Sequence, residues 1–548
     1  MDTPLSPCSY RLPQHECAAT RTSRARRLAA TRHAHRWIRE PELPPHPEQV
    51  DARHQLSEPS QRYIRWQLRR AALNRVLGLA AGRAQPWSLA AFERLGPLIE
   101  VPTQTRRRWR EDRLLAWSLV AGVNPMQLEL CEELPTDLGV RDEHLRGLLP
   151  AGLELGALIA RQRIFLADFS AVAGLECLPG RYLAAPRLLL WRDDEGQLQP
   201  LAITLRPAAS RGRRRPPPVF TPLDGEWDWL GARAYLQNAS NHTHQAIHHL
   251  METHLIAEVA CIGMHRNLAP EHPLYALLEP HLRECVGINE EARGLLLGAG
   301  GLVDRSMSAG GRGLVTLIRR AWPSWRWRAR TLEADLAGRG LASREVLPEF
   351  PYREDARAVH GALRRYVAGF VGEVYREDAE VAQDPELQAW LRELGDPDGG
   401  TIGGLPQLRD IEALVDFLAE LLFKLTAQHG AMQHGQKQAY GFAPFCPAGL
   451  YAPAPEGHGA SAASFLDMLP DRAHALSQLA SAHILARPVE RPLINFGEHE
   501  TRGPLARARA GLRGELRSVS ALIRARNVQR WLPYEALDPA HLSTCVDI

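Results

Sequence analysis

Five histidines stand within thirteen residues of this chain, at positions 242, 244, 248, 249 and 254. Neutral imidazole is the commonest protein ligand for transition metals, so the cluster points to a metal centre. Which pair binds is a question of helix geometry. At ~100° per residue, His244 and His248 share one face of an α-helix. His249 and His254 are five apart, so an ideal α-helix splays them by ~140°. They converge only if the helix widens into a π-type turn. Spacing alone favours His244 and His248 as the simpler pair.

The elements that position the cluster read as mainly helical. Apolar residues recur at three- and four-residue spacing from about Ser60, through 111–166, from Trp227 to about Leu394, and over 408–430 and 470–530. Residues 186–205 instead read as two short strands around a Gly turn. Residues 1–50 carry Arg21, Arg24, Arg26 and Arg27 and end in a Pro-rich stretch, which predicts a disordered basic arm. The remainder, 51–548, reads as one catalytic unit: an N-terminal helical part with the hairpin over 51–220, and a metal-binding helical core over 221–548. Arg211-Gly-Arg-Arg-Arg reads as a solvated loop. The run Trp322-Pro-Ser-Trp-Arg-Trp-Arg reads as packing around a helix entry, with a single-stranded nucleic acid or a membrane surface as the rival reading.

Composition excludes other classes. The 548 residues carry 66 Lys+Arg against 63 Asp+Glu and are 45% hydrophobic, so whole-chain disorder is excluded and no nucleic-acid partner is implied. No run reaches the ~18 apolar residues of a membrane-spanning helix. The eight cysteines form no C-x-x-C pair, which argues against a disulfide scaffold or a Cys-rich zinc module. Reduced thiols and the lack of a secretory signal pattern suggest a cytoplasmic protein.

The wider text resembles the lipoxygenases, the non-haem iron dioxygenases of polyunsaturated fatty acids. Their signature H-[EQ]-x-x-x-H-x-[LM]-x-[ST]-H reads here as His244-Gln245, His249, Met251, Thr253 and His254, followed by Leu-Ile-Ala-Glu258. Further segments recur in the family's order: Leu332-Glu-Ala-Asp-Leu, Phe350-Pro-Tyr-Arg-Glu-Asp, Asp384-Pro-Glu-Leu-Gln-Ala-Trp and Gln428-His-Gly-Ala-Met-Gln-His-Gly-Gln. The resemblance covers roughly residues 160–440 and the chain end.

It implies a large helical catalytic domain with a π-type turn in the iron-binding helix, and without the N-terminal β-barrel of plant and animal forms. It implies His249, His254 and His429 as ligands of one iron per chain, manganese being the less favoured metal, with Gln433 at the weak fourth position. The family's Asn, His or Ser is replaced there by Gln. It implies the α-carboxylate of Ile548 as the last ligand, and Gln245 and Gln436 as an outer pair linking the fourth-ligand region to the substrate channel. Ala292 occupies the position where Ala accompanies S hydroperoxides and Gly accompanies R. Leu296 and Val303 flank the reactive pentadiene and the oxygen path. The implied reaction is O2 insertion into a linoleate- or arachidonate-type chain after hydrogen-atom abstraction by a ferric hydroxide. Its partners are the fatty acid and O2, with transient membrane contact. A hydroperoxide isomerase and a non-catalytic lipid-binding relative are the alternatives.

Overall fold

The computed structural model describes residues 11–82, 87–207, 216–486, 489, 491–499 and 502–546. The Arg211 loop and Ile548 lie outside the described residues. Helices dominate, as the three- and four-residue spacing predicts. In the helix Pro351–Val374, the buried residues Val359, Leu363, Tyr366, Val367 and Phe370 recur at that spacing, the stripe a core-facing helix needs.

The helices used here are α1 (Ala18–Ala34), α2 (Glu58–Gly82), α3 (Glu226–Thr243), α4 (Ile256–Asn267), α5 (Cys285–Ala292), α6 (Pro351–Val374), α7 (Ile411–Phe423), α8 (His429–Gln433), α9 (Arg472–Leu485) and α10 (Pro504–Gln529). Helices α6, α7 and α10 pack together, α2 lies on α9, and α1 lies on α4. Between α3 and α4 runs a π-helix, His244–Leu255. Among the described residues no helix is long and apolar enough to cross a membrane.

The predicted hairpin exists and is larger than the sequence suggested. After a two-residue pair, β1 (Trp37–Ile38) with β2 (His46–Pro47), come β3 (Leu128–Leu130), β4 (Ile164–Asp168), β5 (Ala184–Arg192), β6 (Leu198–Pro207) and β7 (Val219–Phe220). These last five form one antiparallel sheet in sequence order. Gly196, at φ 82°, makes the β5–β6 turn that a side chain would strain. Helix α3 packs on β5 and so ties the sheet to the rod that carries the histidines.

The disordered-arm reading of residues 1–50 is corrected where the structure describes them. Arg24 on α1 is 1% exposed. Its guanidinium donates to both carboxylate oxygens of Glu386 at 2.8 Å and to Glu16 at 2.9 Å. A planar, five-donor side chain between two buried carboxylates orders the segment, which composition alone could not reveal. The aromatic run also resolves as packing. Trp322, Trp325 and Trp327 are buried, and Trp325 Nε1 donates to Glu252 at 3.1 Å.

Several of the family-like segments are scaffold. Asp384 caps the helix Pro385–Gly395 by accepting from the Glu386 and Leu387 amides, and its other oxygen pairs with His272 at 2.9 Å. Arg353, fully buried, donates to the Leu341, Ser343 and Leu347 carbonyls.

Candidate metal centre and apolar channel

The π-helix decides which histidines meet. Its i→i+5 bonds widen the turn, so residues five apart return to one face. His249, His254 and His429 are all buried, and their ligand atoms lie within 4.8 Å of one another. Nε2 of His254 stands 3.2 Å from Nε2 of His429. His429 opens α8 directly after a second π-helix, Lys424–Gln428, which the sequence reading did not anticipate. The simpler pair is engaged elsewhere. His244 Nε2 bonds the Met432 carbonyl at 3.0 Å, and His248 lies between Glu252 (3.2 Å) and Gln127 (3.3 Å).

Outer hydrogen bonds set the tautomers. Asn289 Oδ1 accepts from His254 Nδ1 at 2.9 Å, which leaves the Nε2 lone pair to face the cluster. The amide of Asn289 donates to the His254 carbonyl at 2.9 Å and to Glu258 at 3.2 Å. Glu258 is buried and pairs with Arg293 at 2.5 Å. Asn289 is thus an orienting residue that sequence reasoning missed. Its signal was a lone amide in the otherwise apolar first half of α5. His249 Nδ1 meets Gln245 Oε1 at 3.3 Å, and Gln245 Nε2 donates to Gln436 Oε1 at 2.6 Å.

Burial holds His249 and His254 neutral. His254 is pushed down to about 4 by burial, partly offset by Asn289. His249 falls well below its ordinary value by burial and then by the neighbouring His254 and His429. Neutral imidazole is the form that binds metal. His249 Nε2 is buried without a hydrogen-bond partner among the described residues. A buried acceptor of that kind is costly unless a cation satisfies it, so the donor set fits a metal ion.

Gln433, one turn after His429, is buried, and its amide reaches the His249 ring. Neither of its amide atoms completes a hydrogen bond of ordinary geometry among the described residues. At the chain end, His281 Nδ1 donates to the Thr544 carbonyl at 2.7 Å.

His249 and His254 line a mainly apolar cavity. Gln245, Gln436, Ala292, Leu296 and Val303 all line it. Ile64 and Leu68 of α2 also line it, as does the exposed Leu295. The cavity thus brings together Gln245, His249, His254, Ala292, Leu296, Val303 and Gln436, whereas His429 and Gln433 do not line it.

The sequence pattern described as Lipoxygenase matches residues 96–491. The chain belongs to the lipoxygenase family. It is 34% identical over 452 residues to mouse polyunsaturated fatty acid lipoxygenase ALOX8, covering 80% of this chain and 66% of that one. It is 34% identical over 451 residues to human hydroperoxide isomerase ALOXE3, covering 80% and 62%. A solved lipoxygenase in complex with arachidonate superposes with a TM-score of 0.91 at 28% identity, covering 98% of this chain and 83% of that one. The match to the two curated relatives thus spans less than two thirds of their length.

Proposed function

We propose that this lipoxygenase is a dioxygenase that inserts O2 into polyunsaturated fatty acids of linoleate or arachidonate type, giving conjugated S hydroperoxides. One observation carries the reading: three buried imidazoles converge beside an apolar channel. His249, His254 and His429 would hold iron, with the Gln433 amide and the Ile548 carboxylate completing its shell. When bound, iron supplies the one-electron chemistry that removes a hydrogen atom from a bis-allylic methylene and returns the electron once O2 has added.

The chain's own residues do the rest. The channel excludes water and fixes one methylene near His254 through Leu296 and Val303. Ala292 limits the space for O2 on one face of the pentadienyl radical. Gln245 and Gln436 hold His249 in its binding tautomer. Among the described residues, the only charged side chain lining the channel is Glu291, at its exposed end. No Lys or Arg among the described residues lines the channel, so a carboxylate finds no cation inside and the methyl end enters first.

Helix α2 adds a surface for lipid. Trp66, Leu73 and Leu77 are exposed on one helical face with Arg62 and Arg69 beside them. Basic and apolar residues on one face suit transient contact with a membrane surface.

The likeness to a relative named a hydroperoxide isomerase supports isomerisation as a second reading. Absorbance of conjugated diene with linoleate, followed under air and under argon, separates the two. Oxygen-dependent diene formation is expected. Consumption of a fatty-acid hydroperoxide without O2 uptake would favour isomerisation. Metal analysis of the same protein distinguishes iron from manganese.

A further inference from the structure

A second set of metal-binding side chains converges on the same helical rod, eleven residues past His254. His54, Cys261 and His265 are buried, and their ligand atoms lie within 4.8 Å of one another. His35 supplies a fourth corner. Its Nε2 stands 3.1 Å from His54 Nε2, and its ring stacks on His265 at 5.5 Å. The four residues come from three places: His35 ends α1, His54 lies in the short turn Ala52–His54, and Cys261 and His265 sit one turn apart on α4.

The surroundings hold these groups in position. The Thr31 carbonyl accepts from His35 Nδ1 at 3.0 Å, which turns the Nε2 lone pair inward. The Tyr275 hydroxyl lies 3.3 Å from His265 Nδ1, the kind of outer hydrogen bond that orients a metal-binding imidazole. A Cβ at Gly287 would lie 2.4 Å from the His54 carbonyl oxygen. Only glycine there lets the turn carrying His54 press onto α5.

The geometry suits a small tetrahedral ion. Zinc holds nitrogen at about 2.0–2.1 Å, which puts neighbouring ligand nitrogens roughly 3.3 Å apart. The His35–His54 spacing is near that value, and near the 3.2 Å between His254 and His429 in the first cluster. Three imidazoles and one thiolate form a borderline-soft donor set, closed to solvent. We propose that His35, His54, Cys261 and His265 form a second, structural metal site that takes Zn2+ and pins the segment before α2 to the rod of the catalytic centre. Metal binding needs the thiolate, so one proton leaves Cys261 as the ion enters.

The test uses the full chain, stripped with a chelator and titrated with Co2+. The first cluster contains no thiolate among the described residues. A thiolate-to-cobalt charge-transfer band therefore reports the second site alone. The band should saturate at about one equivalent. It should vanish in Cys261→Ala and persist in His254→Ala. Absence of the band in wild-type protein whose circular dichroism is unchanged would overturn the proposal, as would a band that survives Cys261→Ala. If stripping unfolds the chain, zinc is counted in unstripped protein. About one zinc per chain, lost in His54→Ala, supports the site. Equal zinc in the two proteins rejects it.

Discussion

Gln245 donates from its amide to Gln436 Oε1 at 2.6 Å, while its own oxygen meets His249 Nδ1 at 3.3 Å. The pair thus reaches His249, a proposed metal ligand, through Nδ1, which leaves Nε2 to the histidine cluster. Removing the oxygen of Gln436 leaves the Gln245 amide free to turn and releases the His249 ring. Gln436→Leu should lower iron affinity or turnover by about 10–100-fold. Iron retention on dialysis and kcat measured at saturating iron would separate the two. Wild-type values for both would remove the pair from the machinery.

Ala292 lines the channel beside Leu296. Ala292→Gly opens space on the face that the methyl group covers. The hydroperoxide is expected to shift from S towards R, read by chiral chromatography. An unchanged ratio would mean that Ala292 does not gate O2.

Arg24 is enclosed by Glu16 and Glu386. Arg24→Met leaves two buried carboxylates without their cation. Breaking one side of such a network costs about 3–5 kcal/mol. Thermal unfolding should fall accordingly, and limited proteolysis should cut before α2 at lower protease concentration. Wild-type resistance would show that α1 contributes little.

Acid sensitivity follows from buried neutral histidines. Burial pushes His242 down to about 4 and His244 and His281 down to about 3. His242 accepts from the Ala309 amide at 3.2 Å, a bond that protonation would break. The unfolded chain protonates these residues below about 6.5, whereas the folded chain does not. Stability should therefore be complete above that pH. It should fall as pH drops from about 6.5 towards 4, by roughly 1.4 kcal/mol per pH unit for each histidine. Urea unfolding at pH 7 and pH 5 measures this directly. Equal midpoints would show that these histidines are charged in the fold.

The sequence by itself determined the helical class and the hairpin at 186–205. Apolar periodicity and the order of short motifs are local properties, written wherever a helix or turn forms. Periodicity also misled. At α-helical spacing His244 and His248 looked paired, yet the π-helix turns both to other partners and brings His249 and His254 together. A π-turn is maintained by packing around it, so apolar spacing carries no sign of it, and only the family resemblance implied it. The same holds for residues before α2. Their Arg and Pro content matched disorder until Glu386, far along the chain, supplied the buried partner for Arg24. Tertiary structure alone also decided the second cluster. Sparse cysteines without a C-x-x-C pair argued against zinc, but Cys261 and His265 occupy one turn of α4 and meet His35 and His54 only when α1 docks there. Ligands drawn from separate elements have no spacing to read. Their proximity is a consequence of burial, which is settled by how whole helices pack.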